Sequence, residues 1–392
     1  MDNKEVIQRM KTDEDYRVAM QQYLDELAPD QYRAFLEDDS WAGVPYARSF
    51  FHVHSDLGSP MDSVLTVRAY HERARTYGAS FLSLTDHGTM YGLVPLDDMI
   101  TKGNQGNERK KTLCVGCELY VCEDVEHRGL RKHLCAYALD ETGYEVLCHL
   151  VTQSQYRIIQ TGNIQYPCVS FAMLENYMGP GKDGHGHIAL TSACIGGVVL
   201  AQAVSNERMK VKIEQDTKDI AEMKNASDSS RAIQKKEADI EKAKNAIVPG
   251  ADTESAFETE LLKYDALAGH GLWYAEMQYH GIGLEKKFMP VLADIAKRHQ
   301  IPLLAANDAH MLSKSDCELR KYLNSMRFGN EWSPKQEGDE ELYLKTDPEL
   351  YAALRRILPG DLAFEAMMGR DDLAKKFSFH YTKKERFPKY HE

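Results

Sequence analysis

From Phe50 onward, short apolar runs alternate with stretches whose apolar positions recur at helical spacing. The runs SFFHV, ASFLSL, LCVGCELYV, HLCAYAL, HIALTS, WYAEMQ and PLLAAN are rich in strand-forming residues, and they predict seven strands. Strands alternating with helices point to an α/β fold with parallel strands joined by crossover helices. Seven such units suit a closed (β/α)7 barrel at least as well as an open doubly wound sheet. The barrel domain is expected over 46–330. Ahead of it, residues 1–45 are acidic and helical in pattern, ending at the breakers Gly43 and Pro45. They predict an N-terminal helical extension with Val6, Met10, Tyr23, Leu24, Leu27 and Phe35 as its buried contacts. The alternation breaks over 205–260, where Lys, Glu, Asp and Ala dominate. Ile213 and Ile220 there are seven apart, as are Ile233, Ile240 and Ile247, and the polar stretch NASDSS separates the two series. The spacing predicts an antiparallel helical hairpin inserted in the barrel. A solvated insert with no partner is the competing reading of so charged a segment. Residues 331–392 read as a C-terminal helical segment.

Composition narrows the class without naming it. Hydrophobic residues are 43% and charged residues 28%, with 26 Gly and 13 Pro in 392 residues. That is an ordinary folded composition, and it excludes wholesale disorder and collagen. No apolar run approaches the roughly 18 to 20 residues of a membrane-spanning helix, and the start MDNKEVIQRMKTDEDY lacks the apolar core of a signal peptide. A soluble, cytoplasmic protein with no membrane partner is expected. Lys+Arg 48 against Asp+Glu 60 gives a net charge of −12, the wrong sign for a protein that coats nucleic acid. Any contact with DNA must therefore be local, although an acidic metal site is neutralised once divalent ions bind. The eight cysteines, Cys114, Cys117, Cys122, Cys135, Cys148, Cys168, Cys194 and Cys317, lie mostly in apolar runs and read as reduced thiols. Cys114 and Cys117 form a C-x-x-C, but no second pair follows at zinc-ribbon spacing.

The strongest local chemical signal is His52-Val53-His54 at the end of the first strand candidate. Side chains two apart on a strand point the same way, so the imidazoles are expected to face one spot, as a divalent metal requires. An H-x-H alone is weak evidence. The second one, His185-Gly186-His187, lies in the glycine-rich stretch GPGKDGHGH and reads as a loop. Further ligand types recur, however, at the ends of later strand candidates, where barrel enzymes place their sites. Thr85-Asp86-His87-Gly88 follows ASFLSL, Glu118 sits in the third run, His133 opens the fourth, Cys194 follows the fifth, and Asp308 and His310 follow the last. Glu118 read alone is equally a surface carboxylate, and His133 a member of a basic patch with Arg131 and Lys132. Ionisable groups from six strand ends directed to one face are hard to explain as packing, because buried ionisable groups need partners or a metal.

These residues resemble the polymerase and histidinol phosphatase (PHP) domain family, and most of all the PHP domain of bacterial DNA polymerase III alpha subunits. The stretches FFHVHSDLGSPMDS, LSLTDHGTMYG, VGCELYV, HLCAYALDETGYEVLCHLV, IALTSACIGG, WYAEMQYHGI and LAANDAHML are similar to the family's motifs in order and approximate spacing. The resemblance implies a distorted seven-stranded barrel that binds up to three divalent ions, zinc or manganese. The ligand positions carried over are His52, His54, Asp62, His87, Glu118, His133, Cys194, Asp308 and His310. The stretch from His54 to Asp62 is one residue longer than the family pattern, which leaves Asp56 as the alternative to Asp62. Asp86 is expected behind the ligands, orienting one of them. The segment from ELYLKTDPEL onward looks like the link to a polymerase palm, but the sequence stops there. The expectation is a free-standing PHP protein, such as part of a split replicase, or a fragment of a polymerase, unable to polymerise DNA alone.

The resemblance implies a metal-dependent phosphoesterase, above all a 3′→5′ exonuclease of proofreading type on DNA. His52, His54, Glu118 and Asp308 are the expected catalytic core. Arg128, Arg131 and Lys132, just before His133, are expected to guide the strand; the basic loop of Lys102, Arg109, Lys110 and Lys111 is more simply solvated charge. Two other readings remain. One is a non-catalytic, metal-stabilised module that docks to a DNA polymerase subunit. The other is a small-molecule phosphatase of the histidinol-phosphate type.

Overall fold

The structure, a computed structural model, describes residues 2–106, 110–123, 130–161, 164–225, 230–328 and 337–379. Its strands are β1 (Ser49–Phe50), β2 (Phe81–Leu84), β3 (Thr112–Cys122), β4 (Lys132–Ala138), β5 (Ile158–Thr161), β6 (Ile164–Ser170), β7 (Ile188–Thr191), β8 (Trp273–Met277) and β9 (Leu303–Ala305). Seven of them, in the order β1-β2-β3-β4-β7-β8-β9, form one curled sheet, and each overlaps one of the seven predicted runs. The architecture is an α/β half-barrel with flanking helices, a distorted version of the expected barrel.

The sheet is mixed rather than parallel. β4 runs antiparallel to both β3 and β7, while the other pairs along the path are parallel. The cause is chain length. Only residues 123–131 join β3 to β4, too few for the crossover of a dozen or more residues that a parallel pair needs. The hairpin of β5 and β6 was not expected from the sequence. It adds to the far end of β3, where Tyr120 faces Cys168. Pro167 interrupts the apolar run of β6, and a proline in such a run reads as an edge or a break.

No strand pairing joins β1 to β9, but the chain just beyond them closes the curl. A parallel bridge links Val53 to Ala309. In it the His54 N–H donates to Ala309 O (2.8 Å) and the Ala309 N–H donates to His52 O (3.0 Å). Equivalent bridges join His87 to Glu118 and His133 to Gly197. The first two place candidate ligands beyond a strand end, on backbone that hydrogen bonds hold in place, and the third fastens the start of β4 to the loop after β7.

Trp273, Tyr137, Leu82, Val115, Leu190 and Leu303 of the sheet are fully buried, against Leu147, Leu292, Ile295 and Ala363 of the covering helices. Each fully buried aliphatic or aromatic side chain contributes about 1.5–3 kcal/mol. Helix Gly360–Ala374 lies so close to β9 that a Cβ on Gly369 would stand 1.8 Å from Leu303 O.

The N-terminal helices Asn3–Thr12, Glu14–Asp25 and Pro29–Glu37 share this core through Val6, Met10, Leu24, Tyr32 and Phe35. Leu27 is half-buried against it. Tyr23 departs from expectation and is 58% exposed. The buried stripe of its helix passes through Gln21 and Leu24 instead. Gln21 is satisfied there by donating to Pro45 O (3.0 Å) and Thr76 O (2.8 Å). Asp347 fastens both ends of the chain to β1. It accepts from Tyr32 Oη (2.7 Å), the Arg48 N–H (3.0 Å) and Arg370 Nη1 (2.6 Å), while Arg370 also donates to Ser49 O.

The insert forms two helices, Ala201–Asn225 and Ser230–Ala246, packed side by side. Ile220 and Ile240 are buried between them, and Ile213, Ile233 and Ile247 are half-buried. Lys224–Glu237 (3.0 Å) and Lys236–Asp216 (2.7 Å) cross the seam. Among the described residues, no helix is long and apolar enough to cross a membrane.

Candidate metal centre

Side chains from the loops beyond β1, β2, β7 and β9, with Glu118 of β3 and His133 of β4, converge at one end of the curl. The reversal of β4 makes this possible for His133. Were β4 parallel to its neighbours, a residue at its start would sit at the opposite end of the sheet. Antiparallel pairing sets His133 opposite Tyr120, with its Nδ1 2.8 Å from Glu118 Oε1. His52 and His54 do not lie on a strand, because β1 ends at Phe50. Their convergence comes from a left-handed backbone at His52 (φ 56°), and Asp308 (φ 45°) and Ala193 (φ 56°) share that conformation. Such backbone at a non-glycine residue costs on the order of 1–3 kcal/mol and concentrates at functional sites.

Four groups of side chains bring ligand atoms within 4.8 Å of one another: His54, His87 and His310; His52, His54 and Asp308; His52, Glu118 and Cys135; and Glu118, His133 and Cys194. Asp308 Oδ1 is 3.2 Å from His52 Nε2 and 3.0 Å from His54 Nε2. Glu118 Oε2 is 2.7 Å from His87 Nδ1. Despite these approaches, His52 Nε2, His54 Nε2, both His87 ring nitrogens, both Glu118 oxygens, Asp308 Oδ1 and His310 Nε2 are buried without a hydrogen-bond partner. A buried, unsatisfied polar atom costs about 1–3 kcal/mol, so a packing role does not account for this many in one place. Imidazole, carboxylate and thiol donors aimed at common points are what a cluster of divalent ions needs, and the residues fit that group.

The charges tell the same story. Burial disfavours the ionised form of Glu118, but His133 and His87 outweigh it and hold the carboxyl well below its usual range. Asp308 is likewise depressed, by His52 and His310 against its burial. His87 is raised to about 10, where Glu118 and Asp62 overcome burial, whereas burial and the neighbouring His54 push His310 down to about 3. Burial pushes the Cys194 thiol well above its usual range, so a metal held there would have to displace its proton.

Behind the ligands stand residues that the sequence reading passed over. Glu276 of β8 is fully buried and accepts from His52 Nδ1 at 2.5 Å. It also accepts from Thr191 Oγ1 and from the Gln278 side chain. Cys135 Sγ lies 3.5 Å from the same His52 nitrogen, and burial raises its thiol to about 12. The available signal was one acid inside the otherwise apolar run WYAEMQ. Asp86 does sit behind the ligands. It accepts from Ser55 N (2.6 Å) and Ser55 Oγ (2.7 Å), and from Ser59 Oγ (3.2 Å), which is in turn 3.4 Å from His54 Nδ1.

Asp62, not Asp56, reaches the cluster, with Oδ2 3.4 Å from His87 Nε2 and 3.7 Å from His310 Nε2. It sits at the rim, where Arg320 and Arg327 each bind one of its oxygens at 2.7 Å. Arg131 lies at the mouth beside His133, with its guanidinium 4.0 Å over the Tyr166 ring, whereas Lys132 is not among the residues that line the cleft and pairs with Glu123 at 3.6 Å. Arg128 lies outside the described residues. His185 and His187 are in a turn away from the cluster, where His187 Nδ1 pairs with Asp140 at 2.6 Å. Cys114 and Cys117 are both buried free thiols.

Comparison with known proteins agrees with this geometry. Residues 51–235 match the family described as "PHP domain". The DNA polymerase III alpha subunit of Treponema pallidum is 27% identical over 272 residues, covering 68% of this chain and 18% of that protein. The alpha subunit of Campylobacter jejuni is 23% identical over 330 residues, covering 83% of this chain and 23% of its own. The chain thus spans about a fifth of the length of these relatives. Among solved structures, an amidohydrolase from Chromobacterium violaceum aligns at 14% identity over 67% of this chain and 88% of that one, with a TM-score of 0.31, a likeness too loose to bear on function.

Proposed function

Because the chain carries a PHP domain similar to that of bacterial DNA polymerase III alpha subunits, we propose that it is a metal-dependent phosphodiesterase acting on DNA as a 3′→5′ exonuclease of proofreading type, free-standing or part of a split replicase. The observation that carries the reading is the set of buried, unpartnered ligand atoms on His52, His54, His87, Glu118, Asp308 and His310.

His52, His54, Glu118 and Asp308 form the core of the ligand set, and His87, His133, Cys194, His310 and Asp62 complete it. These residues would hold up to three zinc or manganese ions, which would supply a water of lowered pKa and stabilise charge on the phosphoryl oxygens. The chain's own contribution is orientation. Glu276 accepts the hydrogen bond of the His52 Nδ1–H, leaving the Nε2 lone pair to face the cluster. Asp86, through Ser59, supports His54 in the same way. Arg131 offers positive charge to an approaching phosphate at the mouth, and Lys132 and Arg128 belong to the same basic stretch.

The test measures metal content of the purified protein together with cleavage of 5′-labelled single-stranded and primed DNA in Mn²⁺ and Zn²⁺, with His52→Ala plus His54→Ala as control. Two or three bound ions, and shortening from the 3′ end that the control abolishes, are expected. Metal bound without cleavage of DNA or of a phosphate monoester overturns the proposal. It favours the second reading, a non-catalytic module docking to a polymerase subunit. That reading has its own support in Leu319, Tyr322 and Met326, which expose an apolar stripe along helix Cys317–Phe328 at 56%, 55% and 64%.

A further inference from the structure

The metal centre opens into a cleft of about 530 Å³ that continues away from the ligands along the inserted hairpin. His133, Cys194 and Asp308 line its inner part, and Arg131, Arg208 and Lys212 line it further out. Arg208 and Lys212 are four residues apart on helix Ala201–Asn225, so they share one face of it. The helix residues that line the cleft run from Ala201 to Lys212. At about 1.5 Å of rise per residue, that wall is about 16 Å long. One phosphate ester at the metal centre does not need so long a wall. A polynucleotide does, since it carries a charge on every residue of its backbone.

The balance of charge in the cleft favours an anion. Apart from Asp308 at the metal centre, its acidic side chains are already occupied: Asp339 binds Arg320 at 3.0 Å, Glu285 binds His280 Nδ1 at 2.6 Å, and Glu337 accepts the Gly283 N–H at 2.9 Å. Arg320 is engaged as well, by Asp62 and Asp339, but Arg208 and Lys212 are not held by any described group across the cleft. Arg208 is exposed and has no ionic or hydrogen-bonded partner among the described residues. Lys212 is also exposed, and it pairs with Asp216 one turn along the same helix. Asp216 retains Lys236 at 2.7 Å if Lys212 leaves, and the Lys212 side chain is 56% exposed, so solvent screens its pairing. Lys212 is thus free to turn toward a ligand at little cost.

We infer that the hairpin insert supplies the outer half of a single-stranded nucleic-acid site. Arg208 and Lys212 hold backbone phosphates next to the one at the metal centre, and Arg131 bridges the two halves. This rests on the phosphodiesterase reading for its direction, but binding can be tested without turnover. The insert, on this view, is what makes the cleft prefer a strand to a small ester.

The experiment titrates a fluorescein-labelled oligothymidylate with the full chain, in EDTA, across a range of NaCl concentrations. It compares the wild type with Arg208→Ala plus Lys212→Ala and with the charge-retaining pair Arg208→Lys plus Lys212→Arg. Each phosphate contact contributes about 0.7 to the slope of log K against log salt for a single strand. The double alanine variant should therefore bind more weakly, with a slope shallower by about 1.4, and the charge-retaining pair should restore the slope. Equal affinity and slope for wild type and double alanine variant overturn the inference, as does failure of the charge-retaining pair to restore the slope. Wild-type hydrolysis of bis(p-nitrophenyl) phosphate in Mn²⁺, measured in parallel, reports on the phosphodiesterase reading alone. A lost salt slope with no diester hydrolysis supports the strand site while refuting the enzyme.

Discussion

Replacing Glu276 with glutamine removes one negative charge from a fully buried position and leaves the side chain's shape unchanged. The consequence follows from which atoms surround the carboxylate. Oε1 accepts from His52 Nδ1 and from the Gln278 amide, and Oε2 accepts from the Thr191 hydroxyl. In the variant the amide oxygen belongs at the Oε1 position, where two donors meet it, and the amide nitrogen at Oε2, where the Thr191 hydroxyl can rotate to accept. The tautomer of His52 is then preserved and only the charge is lost. Removing the partner of a metal-bound histidine costs about 10–100-fold in affinity, and preservation of the tautomer puts Glu276→Gln near tenfold, about 1.4 kcal/mol. Glu276→Ala, which also leaves the Nδ1–H unsatisfied, belongs at the upper end, near 100-fold. Adding Thr191→Val to Glu276→Gln removes the acceptor for the amide nitrogen and should bring the double variant toward the alanine value. The assay is competition of Zn²⁺ or Mn²⁺ against a chromophoric chelator. If Glu276→Gln and Glu276→Ala both bind metal as the wild type does, while His52→Ala does not, the reasoning fails: His52 would then need no orienting partner.

Two further predictions concern stability. In metal-free protein His87 titrates at about 10 against an ordinary 6.5; the folded state holds this proton more tightly, so the contribution is complete below pH 6.5 and is lost as pH rises toward 10. The stability difference between wild type and His87→Gln, from urea unfolding in EDTA, should shrink across that window, and a constant difference refutes the assignment. Arg370→Met strands Asp347, which is fully buried, and should cost about 3–5 kcal/mol. Much of that loss should return when Asp347→Asn is added, and additive losses in the two single variants would show that the pair is not coupled.

The seven strands of the sheet were legible because their signal is local: each is a short apolar run that the next turn or helix interrupts. The ligand types were legible too, since His, Asp, Glu and Cys stand out at the ends of such runs. What the linear pattern lacks is direction. Nothing in HLCAYAL states that β4 runs against its neighbours, yet that reversal, forced by the short connection before it, sets His133 beside Glu118. The H-x-H spacing suggested two imidazoles on a strand, and they do converge, but through a left-handed residue beyond the strand's end. Tyr23 looked buried and Gln21 did not, because polarity predicts burial only until a backbone carbonyl is near enough to satisfy an amide. Glu276 was invisible for the same reason, since a lone acid in an apolar strand gains meaning only from the His52 nitrogen that the fold sets against it, 224 residues away in the chain. Composition and periodicity are properties of neighbours along the chain, so they determined the elements and the chemical groups available. Pairing, backbone strain and burial depend on residues distant in sequence, and only the tertiary structure decided which of those groups meet.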